Sequence, residues 1–451
     1  MNLSEIHRVY FIGIGGIGMS ALARYFKANG KEVAGYDKTP TEITDSLMSI
    51  GIDVHFKDDE ILIPANFSNT SGTLVVYTPA VPKDHKELEY FISNGYIVKK
   101  RAEVLGIITR GTYCLAVAGT HGKTTTSSIL AHILAESGVE VTAFLGGIAE
   151  NFDSNLVLKG NEVTVVEADE FDRSFLHLSP DVACITSMDA DHLDIYGNEE
   201  MLKGSFEAFA KCVKVGGRLF VHKGLPLEGV TYGIEDNSDY CIKNIKIENG
   251  TYLFDLVTPT TTLTGVKFSK PGQHNLLNAL VAFAMAEQTG TPTGRLARAL
   301  GSFKGVKRRF SYHICTENLV YIDDYAHHPT EINALYQAVT EMHPNKRIVA
   351  IFQPHLFSRT RDFMEAFAES LSQFDKVILL DIYPARELPI PGVTSNELLA
   401  LVKATDKKLV RKEDLLEELV SERFEVVVSI GAGDIGEEVM KIKQLLELYV
   451  N

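Results

Sequence analysis

Short runs of β-branched and other apolar residues alternate along the chain with longer stretches whose apolar positions recur at helical spacing. That alternation predicts parallel sheets covered by helices, an α/β protein. Three blocks separate. The first opens with a strand over Arg8–Ile12, a helix over 21–29 and a strand over Glu32–Tyr36, adds a strand at Thr73–Tyr77, and ends near Ile107. The second begins with a strand over Tyr113–Ala118, a Gly/Thr turn and a helix over 125–136, followed by strands over 162–167 and 182–186. Between 229 and 270 the pattern changes to short alternating stretches, such as Tyr252-Leu253-Phe254-Asp255-Leu256-Val257, bounded by Asn249-Gly250 and Thr/Pro clusters. This reads as an antiparallel insertion. A helix over 276–289 closes the block. The third carries strands over 319–322, 347–352, 376–380 and 425–429, with helices over Pro329–Met342, 361–372 and 436–448. The implied domains are residues 1–107, 108–306 and 307–451.

A length of 451 residues supports such a division, since one core rarely organises so long a chain. The net charge of −15, without a run of five or more Lys/Arg, argues against a nucleic-acid partner. The five cysteines lack any C-x-x-C pairing, which fits a reducing compartment. The N-terminus does not read as a signal peptide, and no stretch supplies the roughly 20 apolar residues of a membrane helix. The expectation is a cytoplasmic protein without a membrane partner.

Two glycine loops carry the candidate chemistry. Gly13-Ile14-Gly15-Gly16-Ile17-Gly18 follows a predicted strand and opens a helix, and Asp37 ends the next strand about twenty residues on. The loop lets backbone N–H groups and a helix N-terminus approach a diphosphate, and it specifies diphosphate more firmly than NAD. An oxidoreductase is the reading this loop favours when taken alone.

The second loop, Gly119-Thr120-His121-Gly122-Lys123-Thr124-Thr125, also joins a strand to a helix. Only two residues separate Gly119 from Gly122, so it departs from the usual P-loop spacing. The chemistry survives: backbone N–H groups surround phosphate oxygens, Lys123 reaches the β/γ-phosphates, and Thr124 offers a hydroxyl to Mg²⁺. The competing reading is a Gly-rich turn with an N-cap Thr. Glu167 and Asp169 fall just past a buried strand, and Asp189-Ala190-Asp191-His192-Leu193-Asp194 follows another. Carboxylates, His192 and the Thr124 hydroxyl suit Mg²⁺, while a zinc site would want a second His or a Cys at metal spacing.

Assembled, these motifs resemble the Mur ligase family across essentially the whole chain. In order they are the Gly119 loop, Glu167-Ala168-Asp169-Glu170, Asp191-His192-Leu193-Asp194, Pro271-Gly272-Gln273-His274-Asn275 with Asn278, Arg308-Arg309, and Asp323-Asp324-Tyr325-Ala326-His327-His328-Pro329-Thr330. The Gly13 loop, the His-His-Pro-Thr segment and Gln353-Pro354-His355-Leu356-Phe357-Ser358-Arg359-Thr360-Arg361 resemble the branch that adds L-alanine to UDP-N-acetylmuramate in peptidoglycan precursor synthesis. The resemblance implies a Rossmann-like first domain holding the UDP-sugar, a central P-loop ATPase-like domain with a mainly parallel sheet, and a Rossmann-like third domain.

It further implies ATP between the second and third domains, with the Gly119–Thr125 loop on its phosphates. His274, Asn275 and Asn278 would then meet the adenine and Asp324 the ribose. Lys123, His192 and Arg309 are implied as catalytic, with Arg308 as an alternative to Arg309, and Thr124, Glu167 and His192 as metal ligands. Gly13, Gly15, Gly16, Gly18 and Asp37 fall to the UDP-sugar. His327, His328, His355, Arg359 and Arg361 are candidates for the substrate carboxylates, or else ordinary helix-cap and surface residues. Sister enzymes carry a carbamylated lysine where this chain reads Gly204-Ser205-Phe206-Glu207, a departure that agrees with the alanine-adding branch. Rival readings are a ligase for preformed peptides and a nucleotide-binding regulator. The expected assembly is a monomer or weak homodimer.

Overall fold

The computed structural model describes residues 1–451 apart from 83, 191–195, 249, 386, 421–422 and 449–451. Three sheets follow one another along the chain. The first contains β1 (Arg8–Ile12), β2 (Glu32–Tyr36), β3 (Asp53–His55), β4 (Thr73–Tyr77) and β5 (Ile97–Lys100). All its pairings are parallel, in the order β3-β2-β1-β4-β5. The chain winds outward in both directions from β1, so the C-terminal end of β1 is the switch point where such sheets take ligands, and the Gly13 loop begins there.

The central sheet contains β6 (Tyr113–Ala118), β7 (Val141–Ala149), β8 (Ser154–Leu158), β9 (Val163–Glu167), β10 (Val182–Ile185), β11 (Arg218–His222), β12 (Val230–Ile234), β13 (Tyr240–Glu248), β14 (Thr251–Val257) and β15 (Thr262–Phe268). Its order is β15-β14-β13-β12-β11-β10-β6-β9-β7-β8. Here β6 lies between β9 and β10, both parallel to it, so the Gly119 loop, Glu167 and the turn after Ile185 reach one edge of the sheet. The 229–270 stretch differs from expectation. Its first strand β12 pairs parallel with β11 and with β13, and only β13, β14 and β15 are antiparallel. Alternation marks a half-exposed strand and says nothing about the direction of its neighbour.

The third sheet contains β16 (Ser311–Cys315), β17 (Val320–Asp324), β18 (Ile348–Phe352), β19 (Lys376–Leu379), β20 (Asp406–Leu409) and β21 (Val426–Ile430), in the order β16-β17-β21-β18-β19-β20. Only β16 is antiparallel. The helix expected over 361–372 is two, Phe357–Asp362 and Met364–Leu371, because Phe363 leaves helical geometry with φ −120° and ψ 21°.

One apolar core runs continuously from the first sheet into the central one, joining Val9, Phe11 and Phe26 with Phe144, Leu156 and Phe175. The helix Ile17–Ala28 supplies the joint. Its Tyr25 ring packs on Phe144 with centroids 5.3 Å apart, and Asn155 Nδ2 donates to Ile17 O at 2.6 Å and Ser20 Oγ at 2.9 Å. The third sheet has its own cores on its two faces. It meets the central block mainly through the helix Pro329–Met342, whose Glu341 accepts a hydrogen bond from Tyr252 at 2.6 Å.

Candidate active site

The Gly119 loop is shaped by backbone that only glycine tolerates. Gly119 has φ +134° and Gly122 φ +82°. A Cβ on Gly122 would stand 2.5 Å from Asn278 Oδ1. Gly122 is also the N-cap of the helix Lys123–Glu136 and offers no capping side chain, so the capping-Thr reading of the sequence does not hold. The loop is tied to the turn after β10: His121 N donates to Ser187 Oγ at 2.8 Å, Thr186 Oγ1 to His121 O at 2.5 Å, and Asp189 N to Thr120 Oγ1 at 2.8 Å. These bonds fix the loop backbone before any ligand arrives, which is the preorganisation an anion cradle requires.

Lys123 Nζ donates to Gly119 O at 2.7 Å and lies 2.8 Å from Glu170 Oε2. Burial pushes the Glu170 carboxyl up to about 7 against the pull of Lys123. Glu167 stands half-buried beside them. Burial raises it too, while Lys123 and the Thr124 hydroxyl draw it back. Gly146 N donates to Glu167 Oε2 at 3.1 Å, and a Cβ on Gly146 would lie 2.4 Å from that carboxylate. Glu167 and Thr124 therefore adjoin as hard oxygen donors, which suits Mg²⁺. Among the described residues no three His, Cys, Asp or Glu side chains converge as a metal cluster, and His192 lies outside the described residues, as do Asp191 and Asp194. Mg²⁺ keeps several waters and phosphate oxygens, so two protein oxygens are a fitting complement.

A cavity of about 440 Å³ opens over this loop and is closed from the far side by the third domain. His274, Asn275 and Asn278, from the helix Gln273–Glu287, line it together with Arg309, Asp324 and His327. Burial lowers His274 to about 4, so its ring is neutral at physiological pH. Asn275 Nδ2 donates to Pro271 O at 2.6 Å, and Asn278 Oδ1 accepts from Thr126 at 3.1 Å. Asp324 ends β17; its oxygens accept from Phe310 N at 2.7 Å and Ala326 N at 2.8 Å, and burial raises it to about 6.

The two neighbouring arginines separate cleanly. Arg308 is turned away to Asp323 Oδ2 at 3.1 Å and Gly431 O at 2.7 Å. Both guanidinium groups stand 5.1 Å over the Tyr325 ring, but Arg309, unlike Arg308, lines the cavity, 3.7 Å from Glu331 Oε1.

The remaining third-domain candidates divide. His327 faces the cavity, with its ring 6.3 Å from that of His355, and buried Arg359 stands 3.4 Å from His355 Nδ1. His327 and Arg359 thus both lie next to His355. His328 instead caps its helix, accepting from Thr330 N at 3.3 Å. Arg361 is exposed and pairs with its neighbour Asp362 at 2.8 Å. Those two take the helix-cap and surface roles that the sequence left open.

In the first domain, Gly13 has φ +87°, and Gly15 N donates to Asp37 Oδ2 at 2.7 Å. Asp37 thus braces the loop backbone. Gly16 is the N-cap of the helix Ile17–Ala28, and a Cβ on Gly18 would meet Arg101 Nη1 at 2.7 Å. No part of this loop lines the central cavity.

Sequence reasoning passed over Glu170, Glu331, Gly146 and Arg101. Glu170 ends the acidic motif and had a readable signal. Glu331 sits in the first turn of a helix, where an acid ordinarily reads as complementing the helix dipole.

Comparison with known proteins gives three consecutive family matches: "Mur ligase family, catalytic domain" over residues 8–113, "Mur ligase middle domain" over 117–286 and "Mur ligase, glutamate ligase domain" over 308–435. The UDP-N-acetylmuramate–L-alanine ligase of Flavobacterium psychrophilum is 62% identical over 99% of this chain and 100% of its own. The protein of that name from Porphyromonas gingivalis W83 is 52% identical over 98% of this chain and 99% of its own. The crystal structure of the Thermotoga maritima UDP-N-acetylmuramate-alanine ligase is 29% identical, with a TM-score of 0.84 over 98% of this chain and 99% of that one. A murein peptide ligase from Psychrobacter arcticus, 22% identical with a TM-score of 0.73 over 98% of each chain, shares the fold. No helix among the described residues is long and apolar enough to cross a membrane. With two phosphate-type loops, a cavity between central and third domains, and relatives alike over the full length, the chain belongs to the Mur ligase family.

Proposed function

We propose that this protein is an ATP-dependent ligase that joins L-alanine to the lactyl carboxylate of UDP-N-acetylmuramate through an acyl phosphate. The observation that carries the reading is the interdomain cavity, which puts Lys123, Glu167, Asn275, Arg309 and Asp324 around one space. The names of the full-length relatives supply the two substrates. The working division is residues 1–107 for the UDP-sugar, 108–306 for ATP and 307–451 for the amino acid and the outer wall of the ATP site.

In this reading the lactyl carboxylate attacks the γ-phosphate of ATP, ADP leaves, and the alanine amine displaces phosphate from the acyl group. Two anions must meet, so charge neutralisation is the main demand on the site. The Gly119–Thr125 loop presents backbone N–H groups and Lys123 from below, and Arg309 faces them from the third domain. Mg²⁺ would be held by Thr124 and Glu167 and would supply positive charge at the phosphates; His192, the further donor that the resemblance implies, lies outside the described residues. Neutral His274 with Asn275 and Asn278 suits the adenine, and Asp324 the ribose. His327, His355 and Arg359 form the acceptor side. An acyl phosphate needs protection from water, which closure of the third domain over the cavity would supply.

The test is phosphate release with ATP, Mg²⁺ and UDP-N-acetylmuramate. Release is expected to require L-alanine and to be absent when a preformed tripeptide replaces it; a preference for the tripeptide would transfer the protein to the peptide-recycling reading. The small-molecule chemistry goes with a cytoplasmic monomer or weak homodimer that engages neither nucleic acid nor membrane.

The UDP-sugar diphosphate would lie on the Gly13 loop, whose shape depends on Asp37. Asp37→Ala is expected to raise KM for UDP-N-acetylmuramate roughly 10-fold, the cost of losing one charge-assisted hydrogen bond, with KM for ATP nearly unchanged. Steady-state kinetics with each substrate varied checks this, and equal changes in both constants would count against the assignment.

A further inference from the structure

Glu331 is one of several carboxylates lining the cavity, with Glu167, Glu170, Asp189 and Asp324, and its charge has the wrong sign for a triphosphate site. It is enclosed, and burial alone would raise its pKa, yet His327, His121 and Arg309 hold it well below the ordinary carboxylate range. Its partners come from two domains. Oε1 lies 3.4 Å from His121 Nδ1, in the central phosphate loop, and 3.7 Å from Arg309 Nη1; Oε2 lies 3.3 Å from His327 Nδ1 and accepts from His327 N at 2.8 Å. The other ring nitrogen of His121, Nε2, is 3.2 Å from Asp189 Oδ2.

We propose that Glu331 is a positioning residue that carries the docking of the third domain to the phosphate loop, holding His121 as a cation beside Lys123 and aiming Arg309 at the same phosphates. The helix Pro329–Met342 brings Glu331 to the loop, so His121 has both carboxylates only when that helix is seated. A positive imidazole next to the phosphates helps transfer, and an unseated domain leaves the loop with less positive charge and so slows phosphoryl transfer, to water included.

Geometry and titration agree. Burial works against the imidazolium, but the contacts with Asp189 and Glu331 outweigh it and raise His121 to about 9. Among the described residues, the charged and titratable groups facing His121 are Asp189 backed by His222 on the central side, and Glu331 and His328 backed by His327 and Arg309 on the third-domain side, with Lys123 two positions along its own loop. Of these, only Glu331 is an anion contributed by the third domain.

The inference rests on the ligase reading for its turnover measurements but not for its titrations. The His121 imidazole, followed by ¹⁵N NMR in the full chain, is expected to titrate near 9; a value at or below the ordinary 6.5 overturns the proposal whether or not any variant folds. Glu331→Gln keeps the shape and removes the charge. It is expected to lower the His121 pKa by a unit or more, to bring the alkaline limb of the kcat profile down with it, and to cut kcat about 30-fold, while Glu331→Asp recovers part of the loss. Glu341→Gln, at the far end of the same helix where Glu341 accepts from Tyr252, removes a hydrogen bond remote from the cavity while leaving Glu331 in place and is expected to leave the pH profile unchanged. A Glu331→Gln enzyme with wild-type kcat and His121 titration, or a Glu341→Gln enzyme with the same shifted profile, sinks the proposal. A wild type that releases no phosphate with sugar and alanine, but whose His121 pKa falls in Glu331→Gln, refutes the ligase reading and leaves this inference standing.

Discussion

Lys123→Ala is expected to lower kcat by roughly 10³-fold, the scale on which removal of a preorganised cation from a dry phosphoryl-transfer site is felt. The fold is expected to survive, for a reason visible in the structure. Lys123 is the partner of Glu170, and deleting one member of a buried pair ordinarily costs about 3–5 kcal/mol by stranding the other charge. Glu170 already stands at about 7, so without Lys123 it takes up a proton and becomes neutral, which avoids most of that cost at neutral pH and below.

This gives the variant a signature. A carboxyl whose folded pKa exceeds its unfolded value of 4.5 opposes folding once charged, so stability is fully present below that value and is lost as pH rises towards and through the folded pKa. Removing Lys123 raises the folded pKa further and extends the loss to higher pH. The gap in thermal midpoint between wild type and Lys123→Ala is therefore expected to be wider at pH 8 than at pH 6. A fall in kcat of less than 10-fold would remove Lys123 from the phosphoryl-transfer step, and a pH-independent gap would remove Glu170 as its partner.

Gly119→Ala should be the most damaging of the single-methyl changes in the loop. The new Cβ would stand 2.0 Å from Thr186 Oγ1 and 2.9 Å from both the Thr186 and Ser187 backbone nitrogens, and φ at this position is +134°. The clashing backbone belongs to the turn after β10, where Thr186 N donates to Ala118 O at 3.0 Å, so it cannot yield without parting two strands. Strain and overpacking together are expected to cost about 3 kcal/mol or more and to abolish binding of an ATP analogue. Chemical denaturation and analogue titration read the two effects separately. Near-native stability with retained binding would mean that the loop does not have this shape.

The strand-loop-helix units around Gly13 and Gly119 were legible because each is a contiguous stretch in which period, glycine placement and helix start agree. The helix Pro329–Met342 was legible for the same reason, with Pro329 in its first turn and regular apolar spacing behind it. Three other features were not. The 357–371 segment keeps helical periodicity across Phe363, yet a single non-helical residue splits it. Strand β12 alternates like an antiparallel edge strand but pairs parallel. Arg308 and Arg309 are chemically identical neighbours, and what parts them is the left-handed backbone at Arg308, φ +62°.

By itself, then, the sequence determined the α/β class, the three successive blocks, both glycine loops and most of the side chains that meet in the cavity, because hydrophobic period and turn chemistry are local properties that each stretch carries in full. Tertiary structure alone decided which of those side chains face one another. Strand order brought Glu170 to Lys123 and Gly146 to Glu167, and the seating of a helix from the third domain brought Glu331 to His121, 210 positions apart by their numbering. Such pairings depend on how separate elements stack, and an isolated acid or histidine looks the same in sequence whether its partner is water or a buried charge.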